Sequence, residues 1–146
     1  MELSLALTLP RDEQTVPVAR HIVRNAMEQV GVDETCVYDI ELALSEACTN
    51  VLLHSGPGDQ YVVRLDLEDR LAVMRVIDVG HGIDSAKLKA EDALPENERG
   101  RGLGLMHALV DRVDFTTRPE AGTIVTLEKA LTFRDDALIG GRRKQV

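Results

Sequence analysis

The sequence has 146 residues, of which 44% are apolar, and a formal net charge of -8 at pH 7. This length suits one globular domain, and the apolar fraction excludes an intrinsically disordered chain. The negative charge disfavours binding through a broad basic face, so we expect no direct contact with nucleic acid. No apolar stretch approaches the length of a membrane span, and Met1–Pro10 lacks the basic start and apolar run of a signal peptide. We therefore expect a cytoplasmic protein that makes no membrane contact.

The N-terminal part of the chain is predicted to form one strand and two helices. Leucines alternate over residues 3–9, which predicts a strand. Apolar residues at helical spacing predict a first helix over Val16–Val30, and Gly31 is a suitable residue to end it. A second helix is predicted over Glu34–His54. It carries both cysteines, Cys36 and Cys48, which lie about 18 Å apart along its axis and so cannot form a disulfide.

The rest of the chain is predicted to supply four strands and one helix. In chain order they are the strands Tyr61–Leu67 and Leu71–Ile77, the helix Leu103–Val110, and the strands Val113–Thr117 and Thr123–Leu127. The long loop over residues 84–100 is interpreted as a lid, and residues 134–146 as a flexible tail. We expect one domain over residues 1–146 with an α+β fold. In this fold a two-layer sandwich combines a mixed, mainly antiparallel sheet with helices on one face.

A polar stripe on the second predicted helix is the first candidate site. Glu46, Asn50 and His54 follow one another at intervals of one turn beside the apolar face. A carboxylate and a carboxamide in this arrangement can serve as a base and a metal ligand. A solvated polar edge of the helix is the alternative interpretation.

The second candidate segment begins at Asp78, directly after an apolar strand, and contains Gly80 and Gly82. A carboxylate here can accept a hydrogen bond from an exocyclic amine, while the bare glycine backbone lets a flat ring approach. An ordinary Asp-Gly turn would explain the same residues.

The third candidate segment, residues 100–105, opens a predicted helix. Its candidate binding residues are Gly102, Leu103, Gly104 and Leu105. Glycines at a helix N-terminus present N–H groups to an anion such as phosphate. A dinucleotide-binding fingerprint is excluded because no strand directly precedes the glycines.

Taken together, the order and spacing of these segments resemble the GHKL ATP-binding superfamily. Residues Leu44–Asn50, followed by His54, are similar to the Asn-bearing motif of its small bacterial branch, the anti-sigma-factor serine/threonine kinases. Residues Glu120–Leu127 are similar to the last hairpin of that branch. The resemblance covers residues 2–130, nearly the whole chain.

The resemblance implies a site for ATP or ADP with Mg²⁺. Asn50 would hold the Mg²⁺, and Glu46 would be the catalytic base that takes the proton from an incoming protein hydroxyl. His54 would be either a packing residue at the helix end or a partner of residues near the phosphates.

The remaining nucleotide contacts follow from the same resemblance. Asp78 would accept a hydrogen bond from the adenine amino group, and Gly82 would let the ring lie against the backbone. Gly102–Gly104 would offer N–H groups to the phosphates. Arg101 and Arg99 would lie where a cation could reach the terminal phosphate, although an exposed arginine beside a glycine turn is the commoner case. Thr123 matches a hydroxyl that these folds place near adenine.

The resemblance also implies protein partners. It predicts an anti-sigma factor that sequesters a sigma factor and phosphorylates a Ser or Thr of an antagonist protein. Arg20 corresponds to a region through which this branch contacts its partners. We also expect a homodimer, because the apolar strand at residues 3–9 would otherwise be an exposed edge.

Two alternative functions remain open. One is a nucleotide-sensing module that sequesters a partner without catalysis. The other, an isolated ATPase domain of a sensor histidine kinase, is disfavoured because Met1 directly precedes the first strand.

The predicted lid departs from the pattern of the family. The acidic loop at residues 84–100 lacks the Thr-Thr-Lys element of some relatives, so the resemblance does not imply how this loop closes over ATP or how fast the phosphate is transferred.

Overall fold

The computed structural model describes residues 2–54, 59–78, 104–118 and 122–135. In chain order its elements are β1 (Glu2–Pro10), α1 (Val16–Val30), α2 (Glu34–His54), β2 (Gln60–Glu68), β3 (Leu71–Asp78), β4 (Arg112–Arg118) and β5 (Gly122–Ala130). One turn of 3₁₀ helix, Glu13–Thr15, precedes α1. Residues 104–109 are also helical. The predicted lid and residues 136–146 of the predicted tail lie outside the described ranges.

The five strands form one sheet in the order β1-β2-β3-β5-β4. The predicted α+β class, with helices layered on a mainly antiparallel sheet, is confirmed. Every pairing among the described strands is antiparallel, so this part of the chain lacks the parallel pair of a mixed sheet. The connections explain this, because two helices separate β1 from β2 and return the chain to the end of β1. Gln60 at the start of β2 therefore pairs with Pro10 at the end of β1.

Helix α1 has the bounds that its apolar spacing predicts. Ala19, Val23 and Met27 on its inner face are fully buried. Gly31 ends the helix with a φ of 91°, a left-handed conformation that glycine adopts at little cost, and its N–H donates back to carbonyls of the last turn. The helix end is therefore fixed by one glycine.

Helix α2 packs against α1 and against β3 and β5. Its predicted core stripe is buried at Ile40, Leu44, Ala47 and Val51. Cys36 and Cys48 are also buried, and both are free thiols as predicted. Because this broad face enters the core, the flank carrying Glu46 and Asn50 is left half-buried at its edge. No helix in the described ranges is both long enough and apolar enough to cross a membrane.

Candidate functional site

Asp78 is the last residue of β3, a central strand of the sheet, and it lies beside the start of β2 and the start of β5. Its side chain is fully buried. Tyr61, at the start of β2, is its partner in the strand register and is also fully buried. Thr123 in β5 precedes Ile124, which pairs with Ile77, so the same register places Thr123 beside Asp78. A carboxylate, a phenol and a hydroxyl thus face the helix layer at one end of three adjacent strands.

Arg11 supplies positive charge beside the buried carboxylate. Its Nη1 atom lies 3.7 Å from Oδ1 of Asp78, and the arginine side chain is only 10% exposed. Its Nη2 atom donates a hydrogen bond of 3.2 Å to the backbone carbonyl of Leu52, in the last turn of α2. A buried charge is tolerated when it is paired in this way. Arg11 therefore contacts both the end of β3 and the end of α2.

Gly122 lets β5 approach Asp78 closely. Its φ is 78°, in the left-handed region, and a Cβ added to it would lie 2.9 Å from the Asp78 carbonyl oxygen and 3.2 Å from Asp78 Oδ2. Any other residue would clash with the site and would be strained at this φ. Next to it, the buried Oγ1 of Thr123 has no hydrogen-bond partner among the described residues. Buried hydroxyls normally have partners, so this atom is well placed to bond a ligand.

Tyr61 is anchored to the turn that follows β1. Its hydroxyl lies 2.7 Å from Oγ1 of Thr15, which is also within hydrogen-bond distance of the Pro10 and Asp12 carbonyls. Carbonyls only accept, so Thr15 gives its proton to one of them and Tyr61 donates to Thr15. Burial raises the pKa of the Tyr61 phenol still further above neutral pH, so the phenol is protonated there and can donate. This network holds the turn that carries Arg11.

The polar edge of α2 is the second part of the candidate site. Glu46 and Asn50 lie one turn apart, both half-buried, beside the fully buried Ala47 and Val51. Burial raises the pKa of the Cys48 thiol to about 12, so this cysteine stays protonated and is not a nucleophile. The two half-buried polar side chains, Glu46 and Asn50, rather than the thiol, are therefore the groups available for chemistry at this edge. The side chain of His54 lies outside the described residues.

The glycine segments are described only in part. Gly104 and Leu105 belong to the helical segment at residues 104–109, where Gly104 is exposed and Leu105 half-buried. A Cβ added to Gly104 would meet no described atom within 4 Å. The other predicted residues of these segments lie outside the described ranges: Gly80, Gly82, Arg99, Arg101, Gly102 and Leu103.

Arg20, the predicted partner contact, forms an ion pair within the chain. Its Nε atom lies 3.3 Å from Oε1 of Glu41 on α2, and its side chain remains 41% exposed. Arg24, one turn later, donates a hydrogen bond of 2.6 Å to the other oxygen of Glu41. This contact raises the pKa of the Arg24 guanidinium, and it links the two helices at their solvent side. Enough of Arg20 is exposed for a partner to contact it.

The structure adds Arg11, Tyr61 and Gly122 to the residues that the sequence singled out. Arg11 follows a strand-ending proline and Tyr61 starts an alternating strand, and neither pattern indicates a site. Gly122 offered a weak signal, because a glycine before Thr123 opens the last hairpin. All three matter only through contacts between segments distant in sequence.

The polar groups at the base of this site can form hydrogen bonds with a nitrogen heterocycle that carries an exocyclic amine. Asp78 supplies a carboxylate acceptor, Thr123 a hydroxyl with no partner in the described chain, and Gly122 a backbone with no side chain in the way. These are the features that a largely apolar pocket with a few polar groups uses to orient a ligand.

Comparison with known proteins identifies the family of this chain. A family described as the histidine kinase-like ATPase domain matches residues 9–129. The anti-sigma F factor of Bacillus subtilis (strain 168) is 31% identical over 127 residues, which cover 82% of this chain and 86% of the relative. The anti-sigma F factor of Bacillus licheniformis is 33% identical over 102 residues, or 64% and 69% of the two chains. The serine-protein kinase RsbW of Bacillus cereus (strain G9842) is 28% identical over 138 residues, or 86% and 83%.

Two solved structures share the fold. The RsbU and RsbW domains of a Mycobacterium tuberculosis protein match with a TM-score of 0.68 and 24% identity over 88% of this chain. The match covers 32% of that solved chain. The histidine kinase domain of a blue-light-activated kinase from Erythrobacter litoralis matches with a TM-score of 0.50 and 21% identity, over 84% of this chain and 62% of the other.

Proposed function

The chain belongs to the histidine kinase-like ATPase family, which implies nucleotide binding, and from that premise we propose that it is an ATP-dependent protein serine/threonine kinase and anti-sigma factor. The ATP-binding part of this proposal rests on the buried Asp78, which lies beside Gly122 and the hydroxyl of Thr123. The Asp78 carboxylate accepts a hydrogen bond from the exocyclic amine of adenine. Thr123 forms a hydrogen bond with a second polar atom of the base, directly or through a bridging water.

The phosphate half of the site is proposed to lie along α2 and the glycine segment. Asn50 would hold Mg²⁺, which supplies positive charge to the phosphates. Gly102–Gly104 and Leu105 would offer backbone N–H groups, and Arg101 would supply a cation to the terminal phosphate, with His54 as a further contact. Gly80 and Gly82 would give the base room against the backbone. The half-buried position of Asn50 at the edge of α2, where a ligand can approach it, is consistent with this assignment.

Glu46 is proposed as the catalytic base. It lies one turn before Asn50 on the same half-buried flank, so its carboxylate can reach a hydroxyl that approaches from solvent. Glu46 takes the proton from the Ser or Thr of the antagonist as the hydroxyl oxygen bonds to the γ-phosphorus. The bond from that phosphorus to the oxygen shared with the β-phosphate breaks, and ADP leaves.

The partner proteins follow from the names of the relatives, which include anti-sigma F factors and serine-protein kinases. We propose that this chain sequesters a sigma factor in the cytoplasm and is relieved by an antagonist that it also phosphorylates. Arg20, exposed at the solvent side of α1, is a candidate contact for these partners. The chain acts as a homodimer and makes no direct contact with nucleic acid.

Phosphoryl transfer tests this proposal directly. The protein is incubated with γ-labelled ATP, Mg²⁺ and a candidate antagonist protein, and label on the antagonist is measured. Glu46→Gln should lower the transfer rate by about 10²- to 10⁴-fold, the usual contribution of a general base, while ATP affinity stays close to that of the wild type. The polar neighbour Ser45→Ala is the matched control and should transfer normally.

A wild-type protein that binds ATP but labels no antagonist would contradict the kinase proposal. The alternative, a nucleotide-sensing module without catalysis, would then be favoured. The same conclusion would follow if Glu46→Gln transferred phosphate as fast as the wild type.

A further inference from the structure

We propose that Arg11 is a positioning residue for base recognition, because it holds one oxygen of Asp78 and ties this carboxylate to the last turn of α2. The inference rests on the proposed ATP site and adds a residue to it. It concerns how the chain distinguishes adenine from other purines.

The two oxygens of Asp78 face different neighbours. Oδ1 lies 3.7 Å from Nη1 of Arg11, in a pair whose side chains are 10% and 0% exposed. Oδ2 lies on the side of Gly122, 3.2 Å from the point where a Cβ of that residue would stand. The guanidinium therefore selects which oxygen points toward β5. Because attraction between opposite charges is strong at a buried position, this orientation is well defined.

Arg11 is itself fixed by two further contacts. Its backbone N–H donates a hydrogen bond of 2.9 Å to the carbonyl of Asp59, just before β2. Its Nη2 atom donates to the carbonyl of Leu52 at 3.2 Å. The carbonyls in the last turn of a helix have no partner within the helix and carry its negative dipole end, so a guanidinium binds well there.

These contacts join the two halves of the proposed site. Leu52 lies two residues after Asn50, the proposed Mg²⁺ ligand, on the same helix. One side chain thus connects the residue that reads the base to the helix that holds the metal. An arginine suits this role because its planar fork donates in two directions, whereas lysine offers a single compact ammonium group.

The arrangement predicts a specific effect on purine selectivity. A fixed carboxylate accepts a hydrogen bond from the 6-amino group of adenine and repels the 6-oxo oxygen of hypoxanthine. Without Arg11 the carboxylate can reorient, so the preference for ATP over ITP (inosine triphosphate) should fall. A purely structural role would weaken the binding of both nucleotides equally.

Equilibrium binding of ATP and ITP to the wild type, Arg11→Ala and Arg11→Lys tests this inference. Arg11→Ala should weaken ATP binding by about tenfold or more, as expected when a buried charge loses its partner, and should change ITP binding much less. Arg11→Lys should give a ratio of ATP affinity to ITP affinity that lies between the ratios of Arg11→Ala and the wild type. In an Asp78→Ala background, Arg11→Ala should have no further effect on this ratio.

Arg64→Ala is the matched control, because it also removes an arginine from an Arg–Asp pair. Its Nε atom lies 2.9 Å from Oδ2 of Asp66, but the arginine is 48% exposed on the sheet. Both nucleotides should bind this variant as they bind the wild type.

Three results would overturn the inference. They are an ATP-to-ITP affinity ratio in folded Arg11→Ala equal to that of the wild type, equal losses of affinity for ATP and ITP, or an effect of Arg11→Ala on this ratio that adds to that of Asp78→Ala.

If circular dichroism shows that Arg11→Ala is unfolded, Arg11→Lys becomes the deciding variant. An ATP-to-ITP affinity ratio equal to that of the wild type in Arg11→Lys then overturns the inference. These results leave the proposed function intact as long as the wild type binds ATP. A wild-type chain that binds neither nucleotide contradicts the proposed function itself, and the inference with it.

Discussion

Gly122 is the residue at which backbone conformation and site geometry depend on the absence of one carbon atom. Its φ of 78° and the 2.9 Å approach of a Cβ to the Asp78 carbonyl predict that Gly122→Ala loses about 1–3 kcal/mol of unfolding free energy. Because Asp78 must also shift, ATP binding should weaken. Urea unfolding and nucleotide titration measure the two effects.

Gly31→Ala separates these effects, because Gly31 has a similar φ of 91° but lies at the end of α1. It should lose stability without losing ATP affinity. If Gly122→Ala bound ATP as tightly as Gly31→Ala does, the close approach of Gly122 to Asp78 would have no role in binding.

Single residues of the site were predictable to different degrees. Asp78 and Thr123 stand in recognisable segments, and the structure brings them side by side at the ends of β3 and β5. Arg11 could not be predicted, because its contact with Asp78 depends on where β1 ends relative to β3. Tyr61 reads as an ordinary strand residue until the register pairs it with Asp78.

At the scale of elements, the packing of α2 makes stability depend on pH through Cys48. Burial raises the pKa of this thiol from 9.0 to about 12, so above pH 9 the unfolded chain releases a proton that the folded chain keeps. Stability from this group is therefore fully present below pH 9 and falls as pH rises, by up to about 1.4 kcal/mol per pH unit.

Comparison with Cys48→Ala isolates this effect. The difference in unfolding free energy between the wild type and Cys48→Ala should shrink by about 2 kcal/mol between pH 9 and pH 11. Denaturant unfolding at several pH values measures it, with Tyr61 and all other groups present in both proteins. A difference that stays constant over this range would show that α2 does not bury the thiol as described.

The elements themselves were the most predictable part of the fold. The bounds of α1 and α2 agree with the predicted ranges. Apolar residues spaced at the helical period of 3.6 residues, and the glycine after Val30, are signals that can be recognised in the local sequence. The all-antiparallel pairing of the described strands was not predicted. It depends on the direction in which the chain returns after α2, which no local pattern records.

At the scale of the whole molecule, the β1 side of the sheet is the proposed dimer interface. β1 is an edge strand of the described sheet. On α1, the helix that follows β1 in the chain, Val18 and Ile22 lie one turn apart and are 46% and 37% exposed. The unpaired backbone edge of β1 and these two exposed apolar side chains together favour association with a second copy.

The double substitution Val18→Asp with Ile22→Asp should therefore convert the protein from dimer to monomer while the helical signal is retained. Phe115→Asp is the control, since Phe115 is 39% exposed on β4 at the opposite edge of the sheet. Sedimentation equilibrium distinguishes the two states. A monomeric wild type, or a dimer that dissociates only with Phe115→Asp, would contradict this assignment.

Calorimetric titration of the wild type and Asp78→Asn with ATP and Mg²⁺ tests the central claim, an ATP site whose base is read by Asp78. We expect one ATP bound per chain and an affinity at least about tenfold lower in Asp78→Asn, because Arg11 draws the amide oxygen and leaves an N–H₂ group facing the adenine amine. Equal ATP affinity in a folded Asp78→Asn variant, or no binding by the wild type, would contradict it.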